Sequence, residues 1–455
     1  MAILTEFEEY LEHLCAVLGH ADRTSGMKDY CRGLMLPIER KSVEPLAAHM
    51  DPTHVRAKHQ SLHHFVAKSD WSDKAVIDRV RDWVLPTLGA DNGRYWIVDD
   101  TGFPKKGTHS VGVARQYCGQ LGKQDNCQVA VSLSFATERG SVPIAYRLYL
   151  PKEWASDSTR RQRTGVPENV AFATKPEIAL AQLREAIASG VPTGVVLADA
   201  GYGDETAFRD GITELGLLYA VGIRPATTVW APGVSPLPPK PWTGRGRQPT
   251  LLRRAPGHEP AAVKDLAMGL PSVAYQQVTW REGTNTALSS RFAAVRVRPA
   301  HRDYWSSTQR EEEWLLIEWP EGDPEPAKYF LSTAPSDATL AQLVFVTKMR
   351  WRIERDYQEL KQEFGLAHYE GRGWQGFHHH ATLCIAAYGF LIAQRLTQRG
   401  AKKNATRPKA PELPNDYIPR GGRSSATTRT GFNSDASVSH RTRNRPMSST
   451  MLLLQ

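Results

Sequence analysis

Cysteine is scarce in this 455-residue chain. Its five cysteines are far apart and form no Cys-x2-Cys pair; they are Cys15, Cys31, Cys118, Cys127 and Cys384. Zinc knuckles use closely spaced ligand pairs, and disulfide frameworks use even numbers of cysteines. The spacing therefore excludes both and predicts reduced, mostly structural thiols.

Long apolar runs are also missing. The most apolar stretch, Ala381–Ala393, is too short to cross a bilayer, and the first residues do not read as a basic segment followed by an apolar one. We therefore expect a cytoplasmic protein that does not contact membranes.

The net charge of +9 is unevenly spread. Residues 401–455 contain ten Lys or Arg and three Asp or Glu, so this tail supplies seven of the nine charges. Basic residues neutralise DNA phosphates, but a surplus confined to one tail is a weak basis for predicting DNA binding.

The length predicts two to four folded units, and the chain changes character several times. Strand-like stretches such as "RYWIVDDT", "HSVGVARQYCG" and "NCQVAVSLSFATERGSVPIAYRLYLP" are followed by alternating helices and strands. This pattern predicts the α/β class, with a mixed sheet flanked by helices. The predicted segments are an N-terminal helical unit (1–88), the first part of a core (89–224), a β-rich insertion (225–335), the last part of the core (336–400) and a basic disordered tail (401–455).

Acidic residues stand where two apolar strands are predicted to end. Asp99 and Asp100 follow "RYWIV", and Asp199 follows "GVVLA". The ends of parallel strands are where α/β sheets place their sites. Each acid could instead be an ordinary turn residue, because Asp favours turns next to glycine.

A third acid belongs to the charged helical run "MRWRIERDYQELKQEFGL", residues 349–366. The helical pattern is predicted to start at Thr339 and to run through this stretch without a break. At about 100° per residue, Arg350, Glu354 and Lys361 fall within roughly 40° of one another, beside an apolar stripe. The residues predicted to point away from this stripe are Arg352, Arg355, Glu359 and Gln362. An ordinary salt bridge between Arg350 and Glu354 would explain this arrangement as well.

Three clustered carboxylates repel one another unless a cation joins them. Mg²⁺ prefers oxygen ligands, and two such ions can promote phosphoryl transfer. The consecutive His378, His379 and His380 diverge around a helix and cannot easily share one ion, so we expect a structural or DNA-contacting role for them.

At these residues the sequence resembles the DDE transposases of bacterial insertion sequences, which have a ribonuclease-H-like fold. "WIVDDTGFPKKGTHSVGVARQYCGQLGK" and "VVLADAGYG" resemble the regions of the first and second Asp. The final helix resembles the Tyr-x2-Arg-x3-Glu-x6-Lys signature of one subgroup, with Thr347 in place of the tyrosine.

The resemblance implies that Asp99, Asp199 and Glu354 bind two Mg²⁺ ions, for which Mn²⁺ can substitute, with Asp100 as the alternative to Asp99. It also implies that Arg350 and Lys361 contact DNA. The N-terminal helical unit (1–88) is predicted to bind DNA, and the two core segments (89–224 and 336–400) are predicted to form a ribonuclease-H-like catalytic core. Basic residues near aromatic ones add four candidate DNA contacts, namely Lys105, Lys106, Arg245 and Arg247.

The implied activity is cut-and-paste transposition in a bacterial cell, at the nucleoid. The enzyme would cleave double-stranded DNA at the terminal inverted repeats of its element and join the ends to target DNA, as a homodimer on paired ends. Two alternatives stay open: a Mg²⁺-dependent, structure-specific nuclease of the same fold, and an inactive DNA-binding repressor derived from a transposase.

Overall fold

The computed structural model describes residues 2–89, 93–282 and 287–401. They form two compact units, which we describe separately. The first contains the described residues up to Pro192 and those from Trp351 onward, and the second contains Thr193–Arg350. The predicted basic tail lies outside the described residues from 402 onward.

Helices and strands are numbered in chain order. The helices of the first unit are α1 (Ala2–Cys15), α2 (Arg23–Met35), α3 (Val43–Met50), α4 (Val55–Ala67), α5 (Asp73–Leu88), α6 (Lys152–Ala155), α7 (Ser158–Thr164), α8 (Lys175–Ala188), α13 (Trp351–Gln362) and α14 (Trp374–Ala401). Its strands are β1 (Tyr95–Pro104), β2 (Ala114–Cys118), β3 (Lys123–Ala136) and β4 (Ser141–Leu148). A short 3₁₀ helix spans Leu366–His368.

The second unit contains more strand than helix. Its helices are α9 (Ala200–Gly203), α10 (Thr206–Glu214), α11 (Val263–Gly269) and α12 (Leu340–Lys348). Its strands are β5 (Val195–Ala198), β6 (Tyr219–Ile223), β7 (Thr228–Trp230), β8 (Ala261–Ala262), β9 (Gln276–Glu282), β10 (Ala287–Pro299), β11 (Glu313–Trp319) and β12 (Lys328–Ser332). Two 3₁₀ helices span Ser272–Ala274 and Asp303–Trp305.

The N-terminal helices pack around α14. Helix α14 contacts α2, α4 and α5 and also the sheet strand β4. Its middle part is apolar, and nearly every side chain from Ala381 to Ala393 is buried. A helix that is apolar on all sides is stable in water only when other elements surround it, so α14 forms the centre of this unit.

The sheet of the first unit is antiparallel. Strand β3 pairs with β1 along one edge, and with β2 and β4 along the other. Helix α13 packs against β1 and β4, and α8 packs against β3 and β4. The long predicted segment 126–151 is therefore two strands, because a turn closed by Thr137 N–H donating to Gly140 O separates β3 from β4.

The sheet of the second unit is mixed. Strands β5 and β6 are parallel, and the order continues antiparallel from β6 through β12 and β11 to β10. Strands β9 and β7 both pair with β10, and β8 pairs with β7. The β-rich stretch thus continues the sheet that begins with β5 and β6. The mixed α/β class is confirmed and is consistent with a ribonuclease-H-like fold.

The helix predicted to run from Thr339 through residue 366 is interrupted. Helix α12 ends at Lys348, Met349 and Arg350 form a turn, and α13 starts at Trp351. No helix in the described parts of the chain combines the length and the apolar character needed to cross a membrane.

A substitution in the N-terminal helices tests this packing. A Cβ added at Gly26 of α2 would lie 2.5 Å from Cγ of Phe65 in α4. Overpacking costs about 1–3 kcal/mol, and so close a contact should exceed the gain of about 1 kcal/mol that alanine brings to a helix. We therefore predict that Gly26→Ala lowers the free energy of unfolding in urea. Gly107→Ala, which meets no atom within 4 Å, is the control; equal stabilities of the two variants would contradict the packing.

Candidate active site

Asp99 and Asp100 lie in the middle of β1. The prediction that they end the strand was wrong, because β1 continues to Pro104 and residues 101–103 are buried. Gly102 makes this continuation possible, since a Cβ there would lie 2.7 Å from Sγ of Cys118. Both acids are half-buried.

The two acids point to opposite faces of the sheet, as neighbouring residues of a strand do. Asp99 is paired across the sheet with Ser132, whose Oγ lies 2.8 Å from Oη of Tyr357 in α13. Asp99 therefore shares the face that α13 covers. Asp100 instead accepts a hydrogen bond of 2.7 Å from Nζ of Lys175, at the start of α8.

The pKa of the Tyr357 phenol depends on the charges of both acids. Its pKa is raised well above the usual value, chiefly by burial and next by the negative charge of Asp99. The charge of Asp100 has a smaller effect in the same direction. The order of the two effects agrees with Asp99 being the acid on the α13 face.

Glu354 lies in the first turn of α13 and is exposed. Lys361 follows it by seven residues, which places the two side chains within about 20° of each other on the helix. Nζ of Lys361 donates to Gly102 O of β1 at 2.8 Å and to Oε1 of Gln120 at 3.0 Å. Because Lys361 reaches β1, Glu354 belongs to the edge of α13 that faces β1.

Arg350 is not on the helix that carries Glu354. It lies in the turn between α12 and α13 and is the last described residue of the second unit. The prediction of one helix bearing Arg350, Glu354 and Lys361 was therefore wrong for Arg350. The residue types gave no warning, since neither glycine nor proline occurs at the break.

Asp199 directly follows β5, in the second unit, and caps the short helix α9. Its Oδ1 accepts a hydrogen bond of 2.9 Å from Gly201 N–H. Two glycines allow this turn to lie against β6. A Cβ at Gly222 would be 2.8 Å from Ala200 N, and one at Gly203 would be 2.1 Å from Gly222 O. The place of Asp199 thus depends on close backbone packing.

Asp356 was missed by the sequence analysis. This carboxylate has no exposed surface and accepts hydrogen bonds from the hydroxyls of Ser134, Ser141 and Tyr388. Burial raises its pKa to about 6, against the lowering effect of the three hydroxyls. Its position predicts burial, because it stands three residues after Ile353 and four before Leu360 on the same helix.

Glu359 was expected to point away from the core and is buried instead. Its carboxylate is paired with Arg355 of the same helix and with Arg395 of α14, the latter at 2.5 Å. The expectation was wrong because α14 packs on this side of α13 and supplies a partner cation.

The three consecutive histidines are buried, so a structural role is the one that their packing supports. A ring nitrogen of His378 lies 2.9 Å from Trp374 O, one of His379 lies 2.9 Å from Trp71 O, and one of His380 lies 2.9 Å from Gly365 O. Burial lowers the pKa of His379 and that of His380 to about 4. Both are therefore neutral at physiological pH.

The predicted DNA-contacting residues differ in accessibility. Lys106, Arg245 and Arg247 are exposed. Lys105 is half-buried and donates from Nζ to Tyr369 O at 2.8 Å. Burial lowers its pKa, as expected for an ammonium held inside the protein.

The described residues contain no ready-made set of three His, Cys, Asp or Glu side chains that could hold a metal ion. The donor chemistry of the predicted acids nevertheless suits a hard cation, since carboxylate oxygens are the ligands that Mg²⁺ prefers. Asp99 and Glu354 belong to the first unit and Asp199 to the second.

The chain belongs to the family described as DDE superfamily endonuclease. The family model matches residues 13–287, more than half of the chain. The matched region includes Asp99 and Asp199 and ends before α13, so Glu354 comes from a helix beyond it. Membership implies dependence on a divalent metal ion in general.

The chain is also similar to a curated protein, the probable transposase for insertion sequence element IS701 of Microchaete diplosiphon. The two are 34% identical over 168 residues, which cover 36% of this chain and 40% of that protein. The chain thus matches less than half of the length of this relative.

The half-buried ammonium of Lys361 gives a test of the geometry around α13. Burial, partly opposed by the negative charges of Cys118 and Asp100, lowers its pKa from 10.5 to about 8. Between pH 8 and 10.5 the unfolded chain therefore binds more protons than the folded one, and stability rises with pH. We predict that wild type gains stability relative to Lys361→Met over this range in urea unfolding.

Lys106→Met, which removes an exposed lysine of the same unit, is the control and should keep a constant difference from wild type. A difference between wild type and Lys361→Met that does not change with pH would show that Lys361 is not held in the buried position.

Proposed function

We propose that the protein is the transposase of a bacterial insertion sequence. It would cleave double-stranded DNA at the terminal inverted repeats of its element and join the ends to target DNA. The observation that carries the proposal is the packing of the Glu354 helix over the Asp99 face of β1, in a chain of the DDE endonuclease superfamily. The similarity to the probable IS701 transposase supports the same activity.

We assign the metal-binding acids to Asp99, Asp199 and Glu354. Asp99 is preferred to Asp100 because it lies on the face covered by α13, the helix that carries Glu354, whereas Asp100 lies on the opposite face, where Nζ of Lys175 donates to it.

Two Mg²⁺ ions, replaceable by Mn²⁺, would activate the attacking oxygen and stabilise the leaving oxygen of the phosphodiester. The chain itself holds and orients the acids. The cap of α9 fixes the backbone of Asp199, and the strand β1 fixes that of Asp99. No covalent protein intermediate is required for hydrolysis followed by direct transesterification.

Basic side chains would bind the DNA backbone. Lys106, Arg245 and Arg247 are exposed and suited to phosphate contacts, and Arg350 is proposed to act in the same way. An ammonium has three N–H groups, so Lys361 and Lys105 can each offer one to a phosphate while keeping the protein bonds described above.

The proposed domain assignment gives DNA binding to the N-terminal helical unit, and α4 is the element best suited to it. The eight-residue α3, the four residues 51–54 and the thirteen-residue α4 follow one another in the order of a helix-turn-helix. Asp51 stabilises the turn by accepting hydrogen bonds from Thr53 Oγ1 and His54 N–H.

Helix α4 contains no acidic residue. Its inner face buries Leu62, Phe65 and Val66, while Arg56 and Gln60 project into solvent one turn apart. Arginine and glutamine are residues that read base edges in the major groove.

Residues 225–335 remain proposed as an insertion, and residues 336–400 as the final segment of the core. The enzyme is proposed to act as a homodimer on paired ends, in the cytoplasm at the nucleoid.

The role of Glu354 is the first test. We predict that Glu354→Gln keeps its affinity for DNA of the element ends and loses Mg²⁺-dependent cleavage by roughly 100-fold or more, because a charged metal ligand becomes neutral. The control is Glu214→Gln, at an exposed position of α10, which should cleave like wild type. Wild-type cleavage by Glu354→Gln would remove Glu354 from the site.

An assay with labelled element ends, plasmid target and Mg²⁺ separates the proposed function from its alternatives. Joined products identify a transposase. Cleavage of branched DNA without joining would identify a structure-specific nuclease, and binding of the ends without cleavage would identify a repressor.

The α4 surface is tested by the double substitution Arg56→Ala and Gln60→Ala. Loss of base and phosphate contacts should weaken binding to the element ends by about tenfold or more. The slope of log affinity against log salt concentration should also fall by about one, the contribution of one phosphate contact. Arg184→Ala, at an exposed position of α8, removes a surface charge elsewhere and serves as the control. Unchanged binding by the double variant would exclude α4 as the reading helix.

A further inference from the structure

Helix α13 buries an unusual set of side chains. Of its four buried residues, Ile353 and Leu360 are apolar, whereas Asp356 and Glu359 are acidic. A helix on a protein surface normally packs through an apolar stripe several residues wide. Apolar packing alone therefore gives α13 few contacts to fix its position on the sheet, and its buried polar groups must supply the rest.

Asp356 is the polar group at the centre of this contact. Its Oδ2 accepts from Ser134 Oγ of β3 at 2.9 Å, and its Oδ1 accepts from Ser141 Oγ of β4 at 2.6 Å and from Tyr388 Oη of α14 at 2.9 Å. Burying a carboxylate is costly unless it is fully hydrogen-bonded. A buried network whose members are satisfied holds its elements in one arrangement. Asp356 thus links α13 to three elements at once.

The same network lies next to the Asp99 face. Ser134 stands two residues after Ser132 on β3, and Ser132 is the residue paired with Asp99. Glu354 precedes Asp356 by two residues and is on the opposite side of the helix, exposed to solvent. Burial therefore does not fix Glu354, whose distance from Asp99 depends on where α13 sits.

We propose that Asp356 is a positioning residue, which fixes α13 on the sheet through its three hydroxyl partners and thereby holds Glu354 at the distance from Asp99 that metal binding requires. The proposal rests on the proposed function, because it concerns the metal-binding role assigned to Glu354.

The test removes one of the three hydrogen bonds. Tyr388→Phe deletes only the hydroxyl that donates to Asp356. Tyr10→Phe is the matched control, because Tyr10 is as deeply buried and its hydroxyl donates to Ala386 O of α14, 2.8 Å away, rather than to a residue of α13. Both variants lose one buried hydrogen bond to an element of the same unit.

Three quantities are measured on the full chain: Mn²⁺ affinity by isothermal titration calorimetry, hydrogen exchange of the α13 amides, and the rate of cleavage. We expect Tyr388→Phe to bind Mn²⁺ about tenfold more weakly, as when a partner of a metal-binding side chain is removed. It should also exchange α13 amides faster and cleave more slowly at saturating DNA. Tyr10→Phe should match wild type in Mn²⁺ affinity.

Substitutions of Asp356 itself complete the test. In Asp356→Asn the side-chain oxygen can still accept from Ser141 and Tyr388, and the new amide can donate to Ser134, so metal affinity should stay close to that of wild type. Asp356→Ala loses all three hydrogen bonds, so its loss of Mn²⁺ affinity should equal or exceed that of Tyr388→Phe.

Equal Mn²⁺ affinities in Tyr388→Phe and wild type would overturn the proposal, as would equal losses in Tyr388→Phe and Tyr10→Phe. Failure of the proposed function would appear separately, as an Mn²⁺ affinity that Glu354→Gln leaves unchanged.

Discussion

The contact between helix α13 and the sheet face that carries Asp99 is the constraint on which the candidate site depends. Asp99 and Glu354 are 255 positions apart in the sequence, and they can act together only if this helix lies against β1. Tyr357 and Lys361 make that contact through Ser132 and through Gly102 O. The same contact also distinguishes Asp99 from Asp100, which faces α8.

The three acids are fixed by different local means. Asp99 is held in a paired strand, Asp199 is held by a helix cap packed against glycine, and Glu354 is held by the placement of its helix. Membership of the DDE endonuclease superfamily is the reason to propose that these acids bind metal, since such enzymes depend on divalent metal ions.

Much of the architecture could be predicted from local patterns. A continuous apolar run predicted β1, and the succession of helices and strands around Asp199 predicted parallel strands such as β5 and β6. The acids were identified from their types and order together with a family resemblance. Their roles stay proposals, because spacing along a chain does not give a distance in space.

The errors have physical causes. The break at Met349 and Arg350 was not predicted because the local sequence is a good helix former throughout, and tertiary packing decides where the helix ends. The burial of Glu359 depends on its pairing with Arg395, which lies 36 residues further along the chain on α14. Asp356 could have been found from its helical spacing, but its three hydroxyl partners come from elements that only the fold brings together.

The central claim is that Asp99, Asp199 and Glu354 share metal ions. The most direct measurement is anomalous X-ray diffraction from crystals of the protein bound to element-end DNA and Mn²⁺. The account predicts anomalous peaks within bonding distance of all three carboxylates. Peaks bound by Asp100 without Asp99, or ions that do not contact Glu354, would contradict it.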